Sequence, residues 1–224
     1  MSEHRDLDRL LEAALVHVAF DGWSDTTFRA AVEDTGLTLG QAKAVAPRGA
    51  LDLAIAFHRR GDREMVEAID KADLSSLRYS ERVAKALHLR IETMTDREAV
   101  RRATTLFSLP MNAPEGAKLV WETADHVWTA LGDTSEDGNW YSKRATLSAV
   151  WASVVLYWLG DDSPGYAKTF EFIDRRIENV MQLEKLKGQL RANPLTKPFM
   201  ELQASFMSRM HPPKVPDDVP GRWN

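Results

Sequence analysis

"KLVWETADHVWTALGDTSEDGNWYSKRATLSAVWASVVLYWLGDDSPGYAKTFEFIDRRIENVM", residues Lys118–Met181, decides the fold class. Apolar residues at 120, 124, 127 and 131, with Trp121 and Trp128 alongside, give residues Glu115 to Leu131 one broad buried face at helical spacing. Asp133 to Gly138 reads as a loop, and the chain turns helical again from Trp140 to Leu159. At 100° per residue Trp140, Arg144, Leu147, Trp151 and Trp158 fall within an arc of about 60°, and Arg144 can reach the Trp140 ring one turn back. From Ala145 onward this helix is apolar around most of its circumference, which makes it central to the body. The uncharged run Ala145–Leu159, 15 residues, is shorter than the roughly 20 a membrane span needs, and Arg144 and Asp161 flank it. After "GDDSPG" a further helix, Tyr166 to Arg191, carries Phe170, Ile173, Ile177, Val180 and Met181 on one face.

Working outward, helices are expected over Ala50 to Lys71, Ser80 to Met94 and Arg97 to Ser108, with prolines 110 and 114 breaking the series. No stretch alternates at period two for long enough to read as a strand. The start of the chain holds three shorter helices. Leu7, Leu10, Leu11, Ala14, Leu15 and Val18 repeat at helical spacing until Asp21-Gly22. Ser24 caps a second helix that ends at Gly36, and Thr38 and Gln41 have capping-box spacing before a third that ends at Pro47. The expected fold is all-α: a three-helix unit with helix-turn-helix outline over residues 1–48, a helical body over 49–192, and a distinct segment over 193–224.

That last segment places Leu195, Phe199, Leu202, Phe206 and Met210 in a narrow helical arc, which Met207 widens. From Lys185 to Arg209, Lys185, Lys187, Arg191, Lys197 and Arg209 stand against the single acid Glu201, in a chain whose formal charge is -4. An amphipathic helix of that charge suits an anionic membrane surface; closing over the body's core is the competing reading.

Composition narrows the chemistry. Cysteine is absent, which removes disulfides, thiolate metal sites and cysteine nucleophiles. The opening "MSEHRDLDRL" has neither an apolar signal region nor transit-peptide basicity, so a cytoplasmic chain is expected. Nucleotide-binding, hydrolase and zinc-protease motifs are missing, and no histidine follows a glutamate by three residues. His17, His58, His88 and His126 are far apart in sequence and read as surface or core-edge imidazoles rather than metal ligands. No cofactor is expected.

"FDGWSDTTF" followed by "AAVEDTGLTLGQAKAVAP" resembles the DNA-binding head of TetR-type regulators. The expected recognition helix, Leu39 to Ala46, offers one cation, Lys43, and residues 1–60 hold seven Lys/Arg against nine Asp/Glu. Phosphate binding needs the opposite balance, so no nucleic-acid partner is expected. The stretch Lys118–Met181 is similar to the ubiquinone-biosynthesis accessory proteins, the ninth member of the coenzyme Q series. The similarity is most specific in the Trp121/Trp128 spacing and in G-D-x-S-x-D-x-N-W-Y-x-x-R over Gly132–Arg144, with Gly138 standing where the family pattern has an aromatic.

That resemblance implies a TetR-like fold without transcriptional function, here in a bacterial form, and a homodimer. It implies a pocket for an isoprenoid lipid or quinone precursor, membrane contact, and docking to a ubiquinone-biosynthesis hydroxylase at the inner membrane. Candidate pocket residues are Trp121, Trp128, Trp151, Val154, Val155 and Trp158, with ordinary core packing as the alternative. Candidate docking residues are Asp137, Asn139, Trp140, Tyr141 and Arg144, with Asp125 placed to pair with Arg144. Membrane contact falls to Leu195, Phe199, Leu202, Phe206, Met207 and Met210. A ligand-responsive transcriptional regulator is the second reading.

Overall fold

The structure is a computed structural model that describes residues 2–135 and 138–192. Among the described residues there are nine α-helices, one 3₁₀ turn and no strand. They run α1 (Ser2–Asp21), α2 (Asp25–Thr35), α3 (Leu39–Val45), α4 (Ala50–Lys71), α5 (Tyr79–Glu92), α6 (Arg97–Ser108), α7 (Ala113–Ala130), α8 (Gly138–Leu159) and α9 (Ala167–Ala192). The membrane-contact candidates Leu195, Phe199, Leu202, Phe206, Met207 and Met210, and the docking candidate Asp137, lie outside the described residues.

The N-terminal unit forms as its caps dictate. Ser24 Oγ accepts from the Thr27 backbone N–H at 3.2 Å, and Gly36, at φ 66°, closes α2 in the left-handed region that a glycine enters without strain. The Thr38–Gln41 capping box is present in both directions and starts α3. Leu10, Leu11, Ala14, Val18, Phe28 and Ala42 form the core of this unit together with Leu53 and Ala54 of α4 and Ala99 and Ala103 of α6. The unit therefore shares its core with the body. Trp23 Nε1 donates to the Ala99 carbonyl at 3.1 Å, and Arg102 Nη2 donates to the Ala19 carbonyl at 3.0 Å.

α4 is the link between the two halves. At 1.5 Å per residue it is about 33 Å long; Leu53 and Ala54 near its start face the N-terminal core, and Met65 and Ile69 near its end face the body core. The body packs α7 on α8, α5 on α9 and α4 on both α5 and α7. Trp151, Val154 and Trp158 of α8 are buried at its centre. The C-terminal end of α8 is held from α6: Arg97 Nη2 and Arg101 Nη2 both donate to the Leu159 carbonyl, at 2.8 and 3.0 Å, where a helix leaves acceptors unfilled and favours positive charge. Asp161 then anchors the following turn by accepting from Ser163 N, Thr169 N and Thr169 Oγ1. No helix among the described residues is long and apolar enough to cross a membrane, as expected for the α8 run.

Candidate ligand cavity and aromatic rim

Five helices, α4 to α8, leave between them a cavity of about 310 Å³. Its walls are largely apolar, with Phe57, Met94, Val100, Phe107, Leu119, Val120, Trp151 and Val155 prominent. The closed end holds Gly61, Arg90 and Trp151, all buried, and Leu156, 62% exposed, stands at the mouth. A volume near the lower limit of small-molecule sites, about 300 Å³, accommodates a ring and a short length of tail.

Behind the closed end lies a buried polar cluster. Arg90 Nε donates to Asp62 Oδ1 at 2.8 Å and its Nη2 to the His58 carbonyl at 3.1 Å. The Thr123 hydroxyl lies 3.0 and 3.1 Å from the two Asp62 oxygens, and His58 Nε2 is 2.9 Å from Thr123 Oγ1. The Thr123 hydroxyl also lies 3.2 Å from the Leu119 carbonyl, so Asp62 and Leu119 both accept at its one proton. His126 Nδ1 approaches Asp62 Oδ2 to 3.6 Å. Burial alone would push the Asp62 carboxyl up, but His126, His58 and Arg90 around it bring its pKa down to about 2. Burial holds the His58 imidazole neutral, with a pKa lowered to about 4 against the pull of Asp62. His126 is shifted the other way, upward, by the Asp62 carboxylate beside it. Gly61 makes the cluster possible: a Cβ there would stand 2.4 Å from Arg90 Nη1.

The second feature is the rim where α7 meets the start of α8. Trp140 and Tyr141 touch edge to face at 4.8 Å, and Trp121 packs 6.0 Å from the first and 6.4 Å from the second. All three are half-buried. The Arg144 guanidinium lies 4.0 Å from the Trp140 ring centroid. Its Nε donates to Asp125 Oδ1 at 2.5 Å and its Nη1 meets Asp133 Oδ2 at 3.3 Å. Lys143 Nζ bonds the other Asp133 oxygen at 2.6 Å. Burial raises the Asp133 pKa, but the bonds from Lys143, Ser135 and Arg144 outweigh it and the net shift is downward.

The structure separates the residues singled out from sequence. Trp151 and Val155 line the cavity between α4 and α8. Trp128 lines a smaller one, about 240 Å³, with Tyr79, Lys143 and Met181. Val154 and Trp158 are fully buried and line neither, since Val154 packs in the body core and Trp158 against Tyr166 and Arg97. Trp121 belongs to the rim. Arg144, of the docking candidates, is only 3% exposed and stacks on the Trp140 ring. The expected Asp125–Arg144 pair is present. Of Asn139 only the helical backbone is described.

Reading the sequence missed Asp62, Arg90 and Thr123 and left His58 and His126 as unrelated imidazoles. A signal was available. Ile55, His58, Asp62, Met65 and Ile69 share one helical stripe, as do Val83, Leu87, Arg90 and Met94, so each apolar face carries a charge that needs a buried partner. Among the described residues no group of histidine and acid side chains is arranged to hold a metal ion.

The helical order and the shared-core head define a TetR-regulator-like fold. The crystal structure of the TetR transcriptional regulator from Nitrosomonas europaea superposes with a TM-score of 0.63 over 77% of this chain and 95% of that one, at 18% identity. Residues 113–184 match the COQ9 family model. The chain is 28% identical over 186 residues to the mitochondrial ubiquinone biosynthesis protein COQ9 of Drosophila melanogaster and 26% identical over 199 residues to that of Homo sapiens. The alignments cover 81% and 85% of this chain, and 57% and 62% of those relatives' length.

Proposed function

We propose that this chain is a non-catalytic lipid-binding accessory protein of ubiquinone biosynthesis. It takes an isoprenoid quinone precursor into the cavity between α4 and α8 and presents it, from a membrane surface, to a biosynthetic hydroxylase. The observation that carries the reading is the apolar cavity inside a chain whose residues 113–184 match the COQ9 family model. Burial of prenyl carbons supplies the affinity: at about 0.8 kcal/mol per CH₂, each five-carbon unit contributes roughly 3 to 4 kcal/mol before ordering costs. The hydroxylase docks on the half-buried Trp140–Tyr141 pair, with Arg144 and Asp125 holding its geometry. Residues 195–210 meet the membrane, the active form is a homodimer, and the protein acts on the cytoplasmic side, peripheral to the inner membrane. Extraction of the purified protein with organic solvent followed by mass spectrometry tests lipid binding. Polyprenyl quinones or their precursors are expected, and phospholipid alone would remove the quinone assignment. Deleting residues 193–224 should lower liposome binding with the body still folded; unchanged binding would contradict membrane contact through that segment.

A ligand-responsive transcriptional regulator is the second reading, favoured by the fold. Against it stands the surface of α3. Lys43, its single cation, has its Nζ 3.2 Å from the Pro47 carbonyl and 4.9 Å from the Phe28 ring centroid, and Leu39 and Gly40 fill the remaining exposed positions with Gln41 and Ala44. Salt-sensitive retardation of duplex DNA in a gel would restore this reading.

A further inference from the structure

We infer that the turn between α6 and α7, residues 108–114, is a lipid-surface contact at the mouth of the cavity, separate from residues 195–210. The inference rests on the lipid-binding reading above and adds to it the place where the body itself meets a bilayer. Between Arg102 and Glu115 the chain carries no charge. At the turn Leu109 is 44% exposed and Met111 78%, and Pro110, Ala113 and Pro114 are exposed with them. Turns that face water favour Gly, Asn, Asp and Ser, where this one has Leu-Pro-Met. Single apolar side chains scattered over a surface need no explanation, but a cluster at one tip marks a contact. The turn also runs directly into the cavity wall. Phe107 and Ser108 from the end of α6 and Gly116 and Ala117 from the start of α7 line the cavity, and the exposed Leu156 stands at the same mouth. A Cβ on Gly116 would lie 2.8 Å from Phe107 Cβ, so the two helices touch just behind the turn and hold it in one piece with the wall.

Hydrogen bonding selects a bilayer over a protein partner. Pro110 and Pro114 have no N–H to satisfy. Leu109 N donates to the Leu106 carbonyl at 3.4 Å, and Asn112 N and Ala113 N both donate to the Leu109 carbonyl at 2.9 Å. The Asn112 side chain donates to the Leu106 carbonyl at 3.2 Å, and the Thr105 and Ser108 hydroxyls donate to the Arg101 and Thr105 carbonyls. Among the described residues, Met111 N–H is the one amide from 109 to 113 left without an acceptor. A polar group that enters hydrocarbon unpaired is costly, so a segment that dips into lipid needs this internal pairing. A protein partner would seek polar groups at the rim of its interface and finds the donors here already used. Leu109, Pro110 and Met111 thus suit the boundary of headgroups and acyl chains, about 5 to 10 Å deep, where interfacial segments bury their apolar side. A lipid then passes between bilayer and cavity along an apolar lip instead of through water.

The chain has no cysteine, so Met111→Cys places a single environment-sensitive fluorophore at the turn, and Glu33→Cys, exposed on α2, serves as the control. On vesicles of phosphatidylcholine and phosphatidylglycerol the label at 111 should shift to the blue and be quenched by nitroxides carried on the acyl chains; the label at 33 should do neither. Unlabelled Leu109→Asp/Met111→Asp protein should float with those vesicles about tenfold or more weakly than wild type, the loss expected when two apolar side chains no longer enter the lipid. Its thermal melt should be unchanged, since both side chains are exposed. Met111→Leu should bind as wild type does. A label at 111 that stays in water on vesicle-bound protein, or undiminished flotation of the aspartate variant, would overturn the contact and leave lipid binding standing. A blue shift given by membrane-free cell extract and not by vesicles would overturn it in favour of a protein partner. A wild type without prenyl lipid would overturn the lipid-binding reading, while the label still decides the contact.

Discussion

Arg144 shows how much one side chain can organise at the rim. It is buried against two carboxylates and an indole ring, so its removal takes a partner from Asp125 and from Asp133, which keeps Lys143, and frees Trp140 as well. Arg144→Leu is expected to cost about 3 kcal/mol in urea unfolding, in the range for breaking a buried pair. Asp125→Asn should cost under about 1 kcal/mol, because Asp125 is 41% exposed and solvent screens the pair. His58 gives the pH dependence. Its pKa is depressed to about 4 in the fold, so between pH 6.5 and 4 the unfolded chain binds the extra proton and stability falls as pH falls. His126, raised in the fold, opposes this with stability that is full at acid pH and lost as pH rises through its folded pKa. Asp62, depressed to about 2, adds a loss that begins only below its ordinary value of 3.8. Thermal melts from pH 7 to 4 should therefore show a flatter decline for His58→Gln than for wild type; an identical slope would show that the imidazole does not stay neutral in the fold.

At the scale of the element, α4 carries an interior glycine against its own helix propensity. Alanine is the better helix former by roughly 1 kcal/mol, yet a Cβ at position 61 would enter the whole Arg90 guanidinium, with Nη1, Cζ and Nη2 all closer than 3 Å. Gly61→Ala should accordingly destabilise by about 1 to 3 kcal/mol in denaturant titration, the range for overpacking, where a solvent-facing glycine would gain. The helices themselves were legible from local signals. α4 and α6 run over the residues that periodicity assigns, because Gly49 and Asp96 start them and Ala72 and Leu109 leave the helix at their ends. The cavity was not legible to the same degree. Trp151 and Val155 follow from an apolar α8, but which face of a uniformly apolar helix meets a cavity and which meets core is decided by neighbours distant in sequence. Trp158, two turns beyond Trp151 on the same stripe, meets Tyr166 and Arg97 and is closed off. Arg90 and Asp62 pair across 28 positions, a choice that stripe spacing alone leaves open.

For the whole molecule, the fold is TetR-like and its head is built into the body rather than set apart from it. The head shares a core with α4 and α6, the lone α3 cation is engaged within its own unit, and the helices of the body enclose an apolar cavity backed by neutralised charge. These features suit the proposed binding of an apolar ligand. The most direct measurement is the amount of polyprenyl lipid that co-purifies with wild type and with Ala152→Phe, whose added ring fills the cavity from α8, each quantified by mass spectrometry against protein with melts confirming the fold. The account predicts lipid on the wild type and a loss of about tenfold or more in the variant. Equal lipid on both folded proteins would place the ligand elsewhere and contradict it.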